Sequence, residues 1–522
     1  MQKIAGKQHL IRMNKISGIN RNTLIIYGLG LTNILFHLVF YNKLEYHRDE
    51  LLYFSLGLHP AFGYATVPPL IGWIASFMQM ISGYSLFAVK LFPALLSGAF
   101  VIISTFITKE LGGKSYAQIL TAIAVMVMPV SMRAFNLFQP VSTDLFFWTL
   151  ITYYVLRYVN TQKEKYLIIT GAVSGLAMLN KYLVALYLLA LFSTILFTGH
   201  RIIFKKRSFY IGLFAGLIIF LPNMIWQINH GFPVISHMQE LHDQQLVHVN
   251  RLDFLSDQIM MPFASVLLIF PGFFCLLKNR KYRFMAYSVL FVVITLLILR
   301  GKSYYTIGIL PVLTASGAVA AEKYISNKLV RYAIPVFLIL ITLPVVPFGI
   351  PVYGEEKLVC YFQNLEDKYG IVAGRRFEDG TIHSLPQDYA DQLGWEELVK
   401  ITSDAYRLIP DKSKGLIYCE NYGQASAVFI IGKKYNLPEP VSFSDNYFYR
   451  KPAEFNPDIE YFIYINDELG EDVKELFQDI KIIGRVSDIN AREYGTAVYL
   501  CTNPKRSFNT FWKSVLLRLN DR

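Results

Sequence analysis

The stretch Tyr46-His47-Arg48-Asp49-Glu50-Leu51-Leu52-Tyr53 follows the first long apolar run of the chain. If that run crosses a bilayer, the two adjacent carboxylates of Asp49 and Glu50 lie at its edge, between a His, an Arg and a Tyr. A charged side chain that enters hydrocarbon costs about 3 kcal/mol or more, so acids in such places are functional candidates. The stretch therefore predicts a membrane protein with a polar site at one face.

The composition agrees with a membrane protein. The chain has 522 residues, of which 53% are hydrophobic, and this is too apolar for a soluble enzyme. Apolar runs that are nearly long enough, or long enough, to cross a hydrocarbon core of about 30 Å recur up to about residue 350, and none follows. We predict a multi-spanning α-helical membrane domain over 1–350 and an extracytoplasmic soluble α/β domain over 351–522.

The net charge of +12 is unevenly distributed. Lys and Arg outnumber Asp and Glu in 1–350, and the acids outnumber the bases in 351–522. Basic loops between apolar runs orient a membrane protein with its positive loops inside, so we predict no nucleic-acid partner. The basic segment 1–22 runs into a full-length span without a small-residue cleavage pattern, which predicts a cytosolic N-terminus and no cleavable signal peptide.

The apolar runs predict about eleven transmembrane helices. An odd number of spans places the C-terminal domain outside. The segment 68–82 is better read as a helix in the outer interface, anchored by Trp73, because a span there would turn the later basic loops outward. The run 166–199 is too long for one crossing, so we divide it into a hairpin that turns at Asn180 and Lys181. The predicted spans are 24–41, 86–108, 116–131, 141–157, 166–180, 182–199, 209–225, 260–277, 284–299, 304–321 and 332–350.

The C-terminal part shows alternating short elements that predict a small α/β sandwich. The predicted strands are 415–420, 461–466, 481–487 and 497–502, and the predicted helices are 422–434 and 471–480. The amphipathic segment 506–522 could lie back on the membrane. Three of the four cysteines lie in this part. One disulfide among them is compatible with export, although buried thiols are the commoner outcome. The spacing of the cysteines argues against a structural zinc site.

Three residues beside Asp49 extend the candidate site. Arg48 suits bidentate contact with a phosphate, and Tyr53 is a further substrate-binding candidate. Glu50 is a second catalytic candidate, with the alternative that it only braces the loop through Arg48 or a backbone N–H.

Further candidates lie near the outer ends of later spans. Asp144 precedes an apolar run, where it either caps a helix or contacts a ligand. Lys181 either extends to the interface or binds a ligand. Lys302 precedes a span together with Tyr304 and Tyr305, which alone would fit an interfacial aromatic belt. Acids and bases that converge on one rim would suit a ligand with both a phosphate and groups to deprotonate.

The sequence requires no cofactor, although a divalent metal is compatible with it. His230, His237, His242 and His248, with Glu240, crowd the loop after the seventh span, and imidazole and carboxylate suit zinc or manganese. Their spacing matches no compact ligand motif, so His237 and His242 are only weak metal candidates.

Several motifs resemble those of one family. RDELLYFSLG (48–57), followed by GYATVPPLIGWIA (63–75), resembles the first outer loop of the family 39-type membrane glycosyltransferases, which include protein O-mannosyltransferases and lipid A aminoarabinose transferases. GKSYYTIGILPVLTASGA (301–318) is similar to their later Lys-x-Tyr-Tyr segment. In the soluble part, three shorter motifs resemble the bacterial branch of the family: DQLGWEELV (391–399), ENYGQASAV (420–428) and SFSDNYFYR (442–450).

The resemblance implies the C-type glycosyltransferase fold and an inverting transfer of a sugar from a polyprenyl-phosphate donor to an envelope lipid, glycan or protein. It also implies Asp49 as general base, Lys302 near the lipid phosphate, and roles for Asp144 and Lys181. The expected location is the bacterial inner membrane, with the soluble domain docking the acceptor or covering the site. The alternatives are a polyprenyl-linked sugar transporter, for which we see no internal repeat of broken helices, and a membrane anchor or receptor.

Overall fold

The computed structural model describes residues 20–372, 374–377 and 380–520, so the basic segment before residue 20 lies outside the described residues. Apolar helices form the N-terminal part, and a four-stranded sheet with flanking helices forms the C-terminal part. The helices of the N-terminal part are α1 (Arg21–Val39), α2 (Arg48–Leu56), α3 (Leu70–Ser82), α4 (Leu86–Glu110), α5 (Ser115–Met126), α6 (Pro129–Asn136), α7 (Pro140–Thr161), α8 (Lys165–Met178), α9 (Val184–Leu196), α10 (Arg207–Asn229), α11 (Pro233–Gln244), α12 (Arg251–Met260), α13 (Val266–Lys278), α14 (Arg283–Ile298), α15 (Leu310–Tyr324) and α16 (Lys328–Thr342). The C-terminal part contains α17 (Glu355–Tyr369), α18 (Gln387–Ala390), α19 (Trp395–Arg407), β1 (Gly415–Cys419), α20 (Tyr422–Ile430), β2 (Tyr461–Asn466), α21 (Glu471–Leu476), β3 (Phe477–Arg485), β4 (Ala497–Pro504) and α22 (Phe508–Asn520).

In the part of the chain that the structure describes, five helical segments are long and apolar enough to cross a bilayer. The number rises to eight if each of three bent helix pairs counts as one span. Each predicted span falls on a helix or a bent pair, while the predicted total of about eleven stays a prediction. The five segments are Arg21–Val39, Leu86–Glu110, Arg207–Asn229, Ser303–Tyr324 and Lys328–Phe348.

Two local predictions agree with the helix bounds. The run 166–199 is divided into α8 and α9, and Asn180 and Lys181 lie in the turn between them. The segment predicted at 68–82 forms α3, whose Trp73 donates its indole N–H to the carbonyl of Ala61 at 2.8 Å. Trp73 therefore fixes the loop before α3.

The C-terminal sheet has the strand order β1-β2-β4-β3. β1 and β2 are parallel and are joined through α20, whereas β4 runs antiparallel to both of its neighbours. Side chains alternate across the sheet, so Ile463 and Ile465 face the core that contains α19 and α20, and Phe462 and Tyr464 face α22. This arrangement is a small α/β sandwich.

Two expectations for this domain are wrong. The helix predicted over 471–480 ends at Leu476, because β3 begins at Phe477 and pairs with β4. The segment expected to lie back on the membrane is α22, and its apolar residues Phe508, Phe511 and Trp512 are buried against the sheet instead. Cys275, Cys360, Cys419 and Cys501 are all free thiols.

A single hydrophobic core joins α2 to the C-terminal part. Leu51, Leu52 and Phe54 of α2 are buried in the same cluster as Val428 of α20 and Trp395 of α19. The cluster spans the boundary predicted at residue 350. The loop before α2 is therefore held against the C-terminal part by packing.

Main-chain hydrogen bonds add to this contact. The N–H of Glu45 donates to the main-chain carbonyl of Gln392 at 3.0 Å, and the N–H of Arg48 donates to the main-chain carbonyl of Asp391 at 2.9 Å. The carboxylate of Glu45 accepts from the N–H groups of Trp395 (2.8 Å) and Glu396 (3.0 Å) at the start of α19. Glu45 thereby satisfies two donors that the first turn of a helix leaves open.

Glu45 predicts a pH dependence of stability. Burial, together with the charges of Glu396 and Asp488, outweighs the two N–H donors and raises the pKa of Glu45 from 4.5 to about 7. Between pH 4.5 and 7 the folded state therefore binds more protons than the unfolded state. As a result, the free energy of unfolding falls as the pH rises through this range, by up to about 1.4 kcal/mol per pH unit. We expect Glu45→Gln to flatten this slope in thermal unfolding measured in detergent; equal slopes in both proteins would contradict the assignment.

Candidate active site

His47 caps the N-terminus of α2 and orients Asp49 and Glu50. Its Nδ1 accepts the N–H of Asp49 at 3.1 Å, and its own N–H donates to the carboxylate of Glu50 at 2.9 Å. This is a reciprocal capping box with His in the usual place of Ser or Thr. Because Nδ1 accepts, Nε2 carries the proton, and it lies 3.8 Å from carboxylate oxygens of Asp388 and Asp391.

Glu50 is fully buried and holds the loop in place. Besides the N–H of His47, its carboxylate accepts from the N–H of Phe138 at 2.7 Å and from Nζ of Lys90 at 2.7 Å. Lys90 also donates to the carbonyl of Asn136 at 3.1 Å. This placement favours the bracing alternative for Glu50, through backbone N–H groups and Lys90 rather than Arg48.

Asp49 points the other way, into a cavity. Its Oδ1 accepts from the hydroxyl of Tyr422 at 2.9 Å and its Oδ2 accepts from the amide of Gln139 at 3.2 Å. Burial and the Asp49 charge raise the pKa of Tyr422, so this hydroxyl stays protonated and donates. The guanidinium of Arg48 stacks on the Tyr422 ring at 4.3 Å. Asp49 therefore meets both α20 and the turn before α7.

The cavity has a volume of about 950 Å³ and lies between the helical part and the C-terminal part. This volume is within the range of small-molecule sites. Arg48, Asp49 and Tyr53 line it, together with Lys302 and Tyr304, so most of the predicted site residues meet there. Most of its aliphatic lining comes from the helical part and includes Leu52, Val67, Val130, Leu137, Val141, Met261 and Ile307, and the C-terminal part adds Phe443 and Phe448.

Three predicted residues, Asp144, Lys181 and Tyr305, are absent from the cavity lining, and two of them, Lys181 and Tyr305, lie beside Tyr304. Nζ of Lys181 lies over the rings of Tyr304 and Tyr305, at 5.2 and 4.8 Å from their centres. Lys181 also interacts electrostatically with Asp144 and Lys302. Asp144 is not the helix cap, because α7 begins at Pro140; its Oδ1 instead accepts the indole N–H of Trp148 at 3.0 Å.

The wall that His47 faces carries charges of both signs. Arg133 pairs with Asp388, and Arg492 lies 3.3 Å from Asp391. Burial raises the pKa of Asp391 even though His47 and Arg492 lie close to it. This wall is therefore mostly neutralised within the protein.

The predicted metal candidates do not assemble. Among the residues that the structure describes, no group of three or more His, Cys, Asp or Glu side chains is placed to hold a metal ion. His237 lines the cavity with His230 and Glu240, and His242 does not.

The sequence predicted that the soluble domain docks the acceptor or covers the site, but it did not identify which residues of that domain line the cavity. Tyr422, Asp391 and Asp445 line it, and each lies in one of the three short soluble motifs that resemble the family. The motifs were the available signal, but they did not show that these residues face the loop of Asp49. Gln139, Arg133 and Arg492 carried no signal that we recognised.

Residues 66–226 match the family described as dolichyl-phosphate-mannose-protein mannosyltransferase. The curated protein named lipid A galacturonosyltransferase RgtD, from Rhizobium johnstonii, is 24% identical over 228 residues. That match covers 42% of this chain and 46% of the relative, so the chain matches about half of the relative's length.

Two crystal structures of ArnT from Cupriavidus metallidurans share the fold. The structure bound to undecaprenyl phosphate has a TM-score of 0.60 at 12% identity and covers 92% of this chain and 97% of its own. The apo structure has a TM-score of 0.57 at 11% identity and covers 95% of this chain and 98% of its own. Part of this chain is therefore similar in sequence to dolichyl-phosphate-mannose-protein mannosyltransferases and to a lipid A galacturonosyltransferase, and almost the whole chain shares the fold of ArnT.

Proposed function

We propose that this protein is an inverting glycosyltransferase that moves a sugar from a polyprenyl-phosphate donor to an acceptor at the outer face of the bacterial inner membrane. The observation that supports it most is the Asp49 carboxylate, which faces the cavity and is oriented by one donor on each oxygen. An ionised carboxylate has about four acceptor positions, so Asp49 keeps lone pairs for a ligand.

In this proposal Asp49 is the general base. It takes the proton of the acceptor hydroxyl while that oxygen bonds to the anomeric carbon, and the bond from this carbon to the phosphate oxygen breaks. The products are the glycosylated acceptor and the polyprenyl phosphate, which keeps the electron pair of the broken bond. Attack on the face opposite the leaving phosphate inverts the anomeric carbon. General-base catalysis of this kind contributes about 10²–10⁴-fold to a rate.

Lys302 and Tyr304 are the groups that we assign to the leaving phosphate. Both line the cavity, and the positive charge of Lys181 lies behind the Tyr304 ring. Positive charge placed before the reaction stabilises the negative charge that develops on the phosphate. Arg48 is assigned to orienting Tyr422, because its guanidinium lies on that ring. We assign no proton transfer to Glu50, since its carboxylate already has three donors.

The sidedness is part of the proposal. An outer position of the loop of Asp49 brings the C-terminal part to the same side, because the two share a core. The C-terminal part then covers the site through Tyr422 and Asp445. Since the curated relative is named for lipid A, lipid A is the first acceptor to test, before envelope glycans and proteins.

One experiment tests the general reaction. Purified protein in detergent is incubated with a panel of undecaprenyl-phosphate sugars, each alone and with lipid A, an envelope glycan or an envelope protein as acceptor, and mass spectrometry follows each carrier. We expect one carrier to lose its sugar, with a matching mass gain on the acceptor. If every carrier of the panel stays intact with all three acceptor classes, the proposed function is wrong.

A further inference from the structure

Asp445 is a second carboxylate on the cavity wall, and it comes from the C-terminal part. Its Oδ2 accepts from the hydroxyl of Thr66 at 2.8 Å, and its Oδ1 accepts from the N–H of Asn446 at 2.5 Å. Within the described residues, no Lys or Arg forms an ion pair with Asp445, in contrast to Asp388 and Asp391. Asp445 therefore retains acceptor capacity that the protein does not use.

The backbone at Asp445 is held in an uncommon conformation. Its φ is +51°, in the left-handed region that few residues other than Gly adopt. Such a conformation costs free energy and persists where the surroundings impose it, often at functional sites. Here the hydrogen bond from Thr66, in the loop before α3, ties the carboxylate across the two parts of the protein. The carboxylate is thus placed before any ligand arrives.

Asp445 and Asp49 face the same space. Each interacts electrostatically with the other and with the hydroxyl of Tyr53, which lies on the cavity wall. Tyr53 also interacts with Tyr422 and Tyr304. A ligand group near Asp49 therefore brings its neighbouring groups towards Asp445.

Aromatic side chains surround this end of the cavity. Tyr449 is 43% exposed and packs edge-on against His230, with ring centres 5.7 Å apart. His230 stacks on Trp226 at 4.0 Å, and both His230 and Tyr449 line the cavity. A sugar ring offers hydroxyl groups that donate hydrogen bonds and a C–H face that packs on the electron-rich face of an aromatic ring. A carboxylate beside aromatic rings matches that chemistry.

We infer that Asp445, with the adjacent Tyr449 ring, forms a sugar-binding subsite through which the C-terminal part recognises the hydroxyl groups of a saccharide. The inference rests on the proposed function and names the specificity-determining residue of that same cavity. The saccharide is either the sugar of the donor or a sugar of the acceptor, since both would reach the space beside Asp49.

The test compares wild type with Asp445→Asn. Asn tolerates the left-handed conformation and keeps a carbonyl oxygen for Thr66, but it loses the charge that strengthens a hydrogen bond from a hydroxyl. Isothermal titration calorimetry in detergent measures the affinity for undecaprenyl phosphate and for each undecaprenyl-phosphate sugar of the panel. A donor subsite predicts that Asp445→Asn binds the preferred sugar carrier about tenfold more weakly and undecaprenyl phosphate equally well.

An acceptor subsite predicts a different result. The affinities of Asp445→Asn for undecaprenyl phosphate and for the preferred sugar carrier then stay at the wild-type values, and the lipid A concentration for half-maximal transfer rises about tenfold. If all of these quantities stay within about twofold of wild type, the subsite is overturned. The binding measurements do not depend on turnover, so a wild type that transfers no sugar refutes the proposed function, while equal sugar-carrier affinities in wild type and Asp445→Asn refute a donor subsite.

Two further variants separate recognition from stability. Asp404→Asn makes the same exchange at a half-buried surface position of α19, away from the cavity, and is expected to change neither affinity nor KM. Thr66→Val removes the bond between the two parts but keeps the Asp445 charge. It is expected to have a smaller effect on sugar affinity than Asp445→Asn; a larger effect would show that the contact between the parts, and not the carboxylate, matters.

Discussion

Asp49→Asn is expected to lower the rate of sugar transfer by about 10²–10⁴-fold, because the amide cannot accept the proton of the attacking hydroxyl. The exchange keeps the size of the side chain, and the Asn carbonyl can still accept from Tyr422. The affinity for undecaprenyl phosphate should therefore stay near that of wild type. The measurement is the initial rate of transfer from the preferred carrier at saturating substrate, followed by mass spectrometry.

A loss in kcat without a matching rise in KM would place the effect on the reaction step rather than on binding. Asp253→Asn, an exposed position of α12 that does not line the cavity, is the matched control and should retain full activity. A fall of less than about tenfold for Asp49→Asn would be too small for the loss of a general base and would remove Asp49 from that role.

Lys90→Met is expected to destabilise the folded protein by about 3–5 kcal/mol, since it leaves the charge of Glu50 buried without its partner. Nζ of Lys90 and the Glu50 carboxylate are 2.7 Å apart, and both side chains are almost fully buried. Methionine keeps much of the length and apolar contact of the lysine stem, so the change isolates the charge. Thermal unfolding in detergent measures the effect.

The double variant Glu50→Gln/Lys90→Met should recover much of the lost stability, because it removes both buried charges together. Lys109→Met, an exposed position on the same helix, is the control and should change stability little. If Lys90→Met unfolds at the wild-type temperature, the pair does not hold the loop of Asp49, and the bracing role of Glu50 is refuted.

The acid pair illustrates what the sequence could predict and what it could not. Position and charge singled out Asp49 and Glu50, but they could not divide the roles between two neighbouring residues. The division follows from capping by His47, which turns the Glu50 carboxylate towards Phe138 and Lys90. These partners lie 88 and 40 residues away along the chain, and no periodicity links them to the loop.

The C-terminal helix shows a second limit. Its spacing of Phe508, Phe511 and Trp512 correctly predicts one apolar face. An amphipathic pattern predicts that this face is buried, but it does not predict which surface covers the face. A sheet and a bilayer surface can both cover a helix with this pattern. The error at 471–480 is of another kind. The prediction treated a short charged helix and the strand after it as one helix, whereas residues 477–480 pair with β4.

The hydroxyl of Tyr422, which donates a hydrogen bond to Asp49, belongs to a residue 373 positions later in the chain. At the usual rate of about 5–20 residues per second, the ribosome reaches it roughly 20–75 s after the aspartate. During translation the nascent protein is therefore without the hydrogen bond from Tyr422 to Asp49, and a chain that stops before Tyr422 never acquires it. With Asp49 as the proposed base, biogenesis itself delays activity until the C-terminal part has been made and has docked.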